Sequence, residues 1–148
     1  MGFIVRRLKQ KDLNHGFFET LANLIPVGEL SPERASEIYR EISSNPVYNI
    51  FVAVSDTNEI VGTITILIEQ KFLAQGLRMG RIEDVSTRKG FERQGIGKAL
   101  VEAAVEEARN RGCFMVDVSC ADDNVPFYEE CGFKEFKENE HAMKIRFI

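Results

Sequence analysis

The chain has 148 residues, of which 44% are hydrophobic and 28% charged, a balance typical of a folded protein and not of a disordered one. It carries 19 Lys and Arg against 23 Asp and Glu, a formal net charge of −4, which argues against the basic surface that nucleic-acid binding needs. With two His and three Cys, none of the Cys in C-x-x-C spacing, a three-His metal cage and a zinc knuckle are excluded, and we expect no metal site.

The same composition predicts one domain, residues 1–148, in the cytoplasm. An odd number of Cys leaves one thiol over from any set of disulfides, which favours a reducing compartment. No apolar run approaches the roughly 20 residues that span a bilayer. The first ten residues lack the apolar core of a signal peptide. We therefore expect no membrane partner.

The first half of the chain predicts one short strand, two helices and an antiparallel meander. The strand covers residues 3–8. Asp12 is a candidate N-cap of a first helix that ends at Ile25, and Ser31-Pro32-Glu33 begins a second helix that ends near Ser44. Strands over residues 49–55 and 60–70 flank a four-residue polar turn, and a third strand covers residues 79–86.

The second half predicts a strand–helix–strand unit. Gly95 begins a long helix that Gly112 ends, and residues 113–119 form the next strand, so the strands on either side of this helix should be parallel neighbours. A short helix over residues 125–131 and closing strands over 133–136 and 142–147 follow. The predicted fold class is α/β (α+β), a mixed central sheet with helices on both faces.

The loop Gln94-Gly95-Ile96-Gly97-Lys98 lies between a strand and the start of the long helix. Glycines there expose backbone N–H groups at the positive end of the helix dipole, which favours a phosphate or pyrophosphate. Arg93 and Lys98 add positive charge. The loop contains neither G-x-x-x-x-G-K-[ST] nor the third glycine of a dinucleotide fingerprint. The alternative is that these glycines only begin a helix.

This loop resembles the Arg/Gln-x-x-Gly-x-Gly/Ala signature of the GNAT superfamily of acyl-CoA N-acyltransferases, with Glu92 at the first position. Residues 80–85, Gly-Arg-Ile-Glu-Asp-Val, resemble the G-H-I-E-D-[IV] strand of glucosamine 6-phosphate N-acetyltransferases. Residues 124–133 are similar to their N-V-x-F-Y-E-K-C-G-F segment. The resemblance covers nearly the whole chain. It implies a GNAT-type sheet and direct transfer of acetyl from acetyl-CoA to the amine of glucosamine 6-phosphate.

The resemblance also implies the residues of the site. Tyr128 would protonate the departing thiolate, with packing beside Phe127 as the alternative. Glu83 and Asp84 would line the amine side and one would orient or deprotonate the substrate ammonium; adjacent strand residues should point to opposite faces, and a solvated charge pair is the alternative. Cofactor contacts are implied for Val85, Arg93, Gln94, Gly95, Ile96, Gly97, Lys98, Asn124, Phe127 and Tyr128.

Two cations are implied for the sugar phosphate. These are Lys71 and Arg146, the latter acting across a homodimer with shared active sites. Asn124 is expected to cap the short helix and to meet the pantetheine arm, with capping alone as the alternative. The three Cys are expected to be structural thiols and not nucleophiles.

One departure leaves the acceptor open. Ser119 stands before Cys120 where the family usually has an acid, with Asp117, Asp122 and Asp123 as candidate replacements. A GNAT enzyme for another amine (a protein N-terminus, Lys or a polyamine) is therefore the second hypothesis. A non-catalytic acyl-CoA-binding module is the third.

Overall fold

A five-stranded mixed sheet forms the centre of the molecule, and the computed structural model describes residues 2–136 and 141–148. The strands are β1 Phe3–Arg7, β2 Tyr48–Ser55, β3 Ile60–Gln70, β4 Arg78–Thr87 and β5 Cys113–Val118. Their spatial order is β1-β2-β3-β4-β5; the pairs β1–β2, β2–β3 and β3–β4 are antiparallel, and β5 is parallel to β4. The predicted meander and the predicted parallel pair are both confirmed.

Five helical segments accompany the sheet. They are α1 Phe17–Ala22, α2 Pro32–Ser43, the short α3 Leu73–Gly76, α4 Ile96–Asn110 and α5 Val125–Glu130, with 3-10 turns at Gln10–Asn14 and Asp122–Asn124. The predicted cap of α2 is confirmed, since the Ser31 hydroxyl accepts the Arg34 N–H at 3.1 Å. Among the described helices, none is both long enough and apolar enough to cross a bilayer.

The helices lie on both faces of the sheet, as predicted. Alternate residues of β2 point to opposite sides. Phe51 and Ala53 pack in the cluster that contains the buried side of α4, whereas Val52 and Val54 pack with Phe17 of α1. α4 approaches β3 closely, because a Cβ at Gly62 would collide with Ile96 and lie 2.9 Å from Leu100. This tight contact fixes where α4 begins relative to the sheet.

The single helix predicted over residues 12–25 is wrong. Asp12 does not cap α1; its buried carboxylate accepts two hydrogen bonds from Arg6, at 2.7 and 2.9 Å, and the Lys9 N–H at 2.7 Å within a 3-10 turn. Gly16, at φ +91°, then interrupts the chain, and a Cβ there would lie 2.6 Å from Arg88 Nη1. The tertiary contacts of this segment therefore divide it into a turn and the six-residue α1.

The closing strands predicted over residues 133–136 and 142–147 are also wrong. Neither segment forms a strand. Met143, Ile145 and Phe147 alternate with polar residues, which is a strand pattern, but their side chains are 90%, 84% and 92% exposed. A strand needs a neighbouring strand to satisfy its backbone groups, and within the described chain this segment has none.

Candidate active site

The parallel pair β4–β5 separates partway along β4. Pairing of the two strands ends at Ile82 and Val118, whereas β4 continues to Thr87. In the described part of the chain, residues 83–87 therefore have β3 on one side and no strand on the other. Such an edge offers backbone N–H and C=O groups to an extended ligand that enters the gap.

A β-bulge in β4 places Glu83 and Asp84 on one face of the sheet. Glu83 pairs with Thr65 and Ser86 pairs with Thr63, so β4 has one residue more than β3 between these pairs. The bulge is centred on Asp84, whose φ of +51° lies in the left-handed region that Asp tolerates better than most residues. Glu83 shares a face with Thr65 opposite it, and Asp84 lines the same cavity as Thr65. The prediction of opposite faces is wrong, and both carboxylates can reach one acceptor.

The cavity next to Asp84 has a volume of about 260 Å³. Its walls are mostly apolar side chains of α1, α2 and β2, including Phe17, Ile38 and Ile50. Both carboxylates are themselves exposed. An acceptor amine can therefore approach them from solvent, on the face opposite α4.

The glycine loop at the first turn of α4 lies next to the same end of β4. Gly95 is the N-cap at φ +83°, and the first turn carries no acidic residue. A Cβ at Gly97 would lie 3.2 Å from the Phe127 ring and 4.0 Å from the Thr87 hydroxyl, so this turn touches both α5 and the end of the unpaired segment. The free N–H groups of a helix start and its partial positive charge favour an anion here.

The side chains of the glycine loop divide into two groups. Arg93, Gln94 and Lys98 are exposed around the helix start. Ile96 is only 2% exposed and packs in the core, so its backbone N–H is the part available to a ligand.

The Glu92 carboxylate is turned back into its own loop. It accepts the Gly90 N–H at 2.7 Å and an Asn23 amide N–H at 3.3 Å, while the same Asn23 nitrogen donates to the Thr87 carbonyl at 2.6 Å. Backbone N–H groups of Glu92 and Gly90 hold the pKa of this carboxyl below its ordinary value. Glu92 therefore links the end of α1 to the loop and to the end of β4, a structural role that explains the departure from the family signature.

Tyr128 is buried at the α4 side of the gap, 8% exposed. Its ring makes edge-to-face contacts with Phe127 at 5.0 Å and Phe133 at 5.7 Å. It belongs to the core cluster against which Val85 of β4 and Val118 of β5 pack, the residues on the two sides of the gap. Burial, with smaller effects of two neighbouring thiols, raises the pKa of Tyr128 to about 12, so the phenol holds its proton at neutral pH.

Asn124 directly precedes α5, but its side chain makes no capping hydrogen bond. The capping interpretation is therefore wrong. The side chain is exposed directly before the helix that carries Phe127 and Tyr128. Its amide thus remains available to a ligand in the gap.

A comparison with known proteins assigns the family. The family model described as the acetyltransferase (GNAT) family matches residues 14–133. The chain belongs to this family. It is an acetyl-CoA-dependent N-acetyltransferase, with the GNAT-type mixed sheet predicted from its sequence.

Two relatives and one further structure define the similarity more closely. The glucosamine 6-phosphate N-acetyltransferase of Candida albicans is 34% identical over 90% of this chain and 91% of its own length. The crystal structure of the Arabidopsis thaliana enzyme of that name has a TM-score of 0.92, at 31% identity and complete coverage of both chains. A Trypanosoma brucei acetyltransferase has a TM-score of 0.88 at 28% identity, covering 99% of this chain and all of the other.

The two cations predicted for the substrate phosphate of this acetyltransferase lie on different segments of the chain. Lys71 follows β3 directly and donates to Glu69 at 2.7 Å, a contact that lowers the pKa of the Glu69 carboxyl. Arg146 is exposed in the segment 141–148, and in the described residues it forms no ion pair.

Two of the three thiols fit the predicted structural role. Cys113 and Cys131 are half-buried, and burial raises the pKa of both, which keeps them protonated. Cys120 is exposed directly after β5, and all three thiols are free. A raised pKa disfavours the thiolate that a nucleophile requires.

One ion pair on the acceptor face was missed by sequence reasoning. Arg81 of β4 donates from Nε to Asp117 of β5 at 3.2 Å, one step before the strands separate. The period-two alternation of a strand, which places Arg81 and Glu83 on one face, was the signal available for it.

Proposed function

We propose that this acetyltransferase transfers the acetyl group of acetyl-CoA to the amine of glucosamine 6-phosphate, giving N-acetylglucosamine 6-phosphate and CoA. The observation that carries the proposal is the bulged face of β4. There Glu83 and Asp84 lie together where β4 leaves β5, with Tyr128 on the other side of the sheet. The names of the Candida and Arabidopsis relatives support this acceptor.

The residues around the gap fit acetyl-CoA as co-substrate. The glycine-capped start of α4 suits the pyrophosphate, with Arg93, Gln94 and Lys98 around it. The unpaired edge of β4 at Val85 suits the pantetheine amides, and Asn124 and Phe127 approach from α5. When bound, acetyl-CoA supplies an activated thioester.

Glu83 and Asp84 prepare the nucleophile. An ammonium must lose a proton before its nitrogen lone pair can attack the thioester carbon. One carboxylate orients the ammonium by a charge-assisted hydrogen bond, and the other accepts the proton, directly or through water. As the new C–N bond forms, the carbonyl electron pair moves to oxygen, where N–H groups of the unpaired β4 segment can stabilise the developing charge.

Tyr128 completes the transfer on the sulfur side. As the C–S bond breaks, its electron pair remains on sulfur, and the Tyr128 hydroxyl donates a hydrogen bond and then a proton to it. Solvent or the proton released by the amine restores the phenol. No buried side-chain polar atom in the described residues lacks a partner, and the hydroxyl forms no hydrogen bond there, so it keeps contact with solvent.

We also propose a homodimer with shared active sites. The exposed, alternating segment of Met143, Ile145 and Phe147 has the pattern of a strand and needs a second copy to pair with. This pairing would bring Arg146 to the phosphate end of the partner's site, with Lys71 on the chain that supplies the carboxylates. An Ile145→Asp variant should sediment as a monomer and lose affinity for glucosamine 6-phosphate, whereas Lys144→Gln should do neither. A fully active wild-type monomer would contradict the shared site.

We also propose that the protein is located in the cytoplasm. The three free thiols support it, because unpaired cysteines persist in a reducing compartment.

The test is the release of CoA thiol on a panel of amines. Glucosamine 6-phosphate should be turned over far faster than glucosamine, Lys peptides or polyamines. Preference for another amine would refute the acceptor and leave the family chemistry intact. Calorimetric binding of acetyl-CoA without turnover of any amine would favour a non-catalytic module.

A further inference from the structure

Arg81 lies on the acceptor face, and the reaction described above gives it no role. It pairs with Leu67 and precedes Glu83 by two positions, so both side chains point away from α4. Its side chain is 49% exposed. The G-H-I-E-D strand that this segment resembles has His at this position, where this chain has Arg81.

The guanidinium is held in place and still has donors to offer. Its Nε donates to Asp117, and within residues 2–136 and 141–148 its two Nη groups have no hydrogen-bond partner. The hydrogen bond to Asp117 is the main cause that raises the pKa of Arg81, which stays cationic. Asp117 therefore orients Arg81.

The spacing of the face matches an aminosugar phosphate. Arg81 lies two positions before Glu83, about 6.6 Å along β4. In a hexosamine 6-phosphate, the amine and the phosphate are attached at opposite ends of the sugar ring, a comparable separation. An amine at Glu83 and Asp84 thus directs the phosphate along β4 toward Arg81.

The charges near Arg81 also favour binding of the phosphate at this end of β4. Lys71 lies beside it across Glu69, whose carboxylate is already paired with Lys71. Asp117 is paired with Arg81 itself. The charges of three acids, Glu69, Glu83 and Asp117, act on Arg81. Because Glu69 and Asp117 are paired, Glu83 remains for the amine.

We propose that Arg81 binds the phosphate of the acceptor, from the same subunit that supplies the carboxylates for the amine. The inference rests on the proposed function. A planar guanidinium can donate two parallel N–H groups to phosphate oxygens, which a His ring cannot. Arg81 thus becomes a specificity residue for phosphorylated over unphosphorylated acceptors.

The experiment compares Arg81→Gln, Arg81→Lys and the control Arg109→Gln, an exposed Arg on α4 that pairs with Glu106. Three quantities are measured: KM for glucosamine 6-phosphate, Ki for glucose 6-phosphate, and kcat/KM for glucosamine. Arg81→Gln should raise the KM and the Ki roughly tenfold or more, since hydrogen bonds to charged groups are strong, and leave the glucosamine value within about twofold. Arg81→Lys should be intermediate, and the control should match the wild type.

Two results separate the proposals. The role of Arg81 is refuted if an active Arg81→Gln variant keeps the wild-type Ki for glucose 6-phosphate, or if it loses kcat/KM equally with both acceptors. Neither result would affect the proposed function. A wild type that ignores glucosamine 6-phosphate but acetylates another amine refutes the proposed function. Urea unfolding midpoints of the variants show whether a loss of activity with both acceptors comes from a destabilised fold.

Discussion

Replacing Tyr128 with Phe removes the hydroxyl and keeps the ring. The edge-to-face contacts with Phe127 and Phe133, at 5.0 and 5.7 Å, join ring centroids and do not need the oxygen. Because the hydroxyl forms no hydrogen bond in the described structure, its removal leaves no buried partner unsatisfied. The change therefore tests proton donation with little effect on the fold at neutral pH.

The size of the effect follows from two pKa values. That of Tyr128 is raised to about 12, whereas an ordinary thiol titrates near 8.5. Complete transfer from the phenol to the thiolate is therefore uphill by about 3.5 units, or about 5 kcal/mol. Tyr128 then acts first as a hydrogen-bond donor to the departing sulfur and transfers its proton as it is itself reprotonated. We expect kcat to fall roughly 100- to 1,000-fold, at the lower end of general-acid effects.

The assay is CoA thiol release at saturating glucosamine 6-phosphate, between pH 7 and 10. KM for acetyl-CoA should stay within about twofold, because the groups that hold its pyrophosphate and pantetheine are intact. Arg109→Gln, at an exposed ion pair on α4, is the control and should behave as wild type. A kcat for Tyr128→Phe within about threefold of wild type would refute the argument.

Three further outcomes test other contacts. Between pH 10 and 12 the wild type should lose about 2–3 kcal/mol of unfolding free energy relative to Tyr128→Phe in urea titrations, because the unfolded phenol ionises near 10 and the folded one near 12. Asp12→Asn should destabilise the fold by about 2–4 kcal/mol at pH 7. Burial raises the pKa of Asp12, but hydrogen bonds from Arg6 and the Lys9 N–H outweigh this effect and lower the pKa in the folded state. The stabilisation is therefore present above the unfolded-state pKa and is lost as the pH falls through the folded-state pKa. Glu92→Gln should keep the loop and lower KM for acetyl-CoA roughly two- to fivefold by removing charge, whereas Glu92→Ala, which loses the acceptor of the Gly90 N–H, should raise KM.

Features set by local pattern were predictable from the sequence. The period-two alternation of residues 60–70 and the turn before them predicted the β2–β3 hairpin, and Gly95 predicted the start of α4. The resemblance to the GNAT signature predicted that the loop and α5 belong to one site, and in the structure Gly97 of the loop lies next to Phe127 of α5. Each of these signals lies within a stretch of about a dozen residues.

The bulge at Asp84 had no such signal. Strand alternation predicts one residue per step, so nothing local indicates that β4 gains a residue between its pairs with Thr65 and Thr63. The register is set by packing on both sides: Ser86 donates to the Thr20 carbonyl at 2.6 Å, and Val85 packs in the core next to α4. Both contacts can form only if Asp84 leaves the alternation, which moves its carboxylate beside Glu83.

The C-terminal segment has the local pattern of a strand, and the prediction of a strand there is nevertheless wrong. The alternation of Met143, Ile145 and Phe147 specifies a ribbon with one apolar face, but backbone pairing requires a neighbour that the described chain does not supply. Burying that apolar face against a second copy would satisfy both requirements at once. In the proposed dimer, the amine and thioester ends of the site would lie on one chain, and the phosphate end would combine Arg81 of that chain with Arg146 of its partner. Measuring the loss caused by Arg81→Gln in the monomeric Ile145→Asp background would therefore separate the two contributions, because the effect of Arg81 should persist when that of Arg146 is gone.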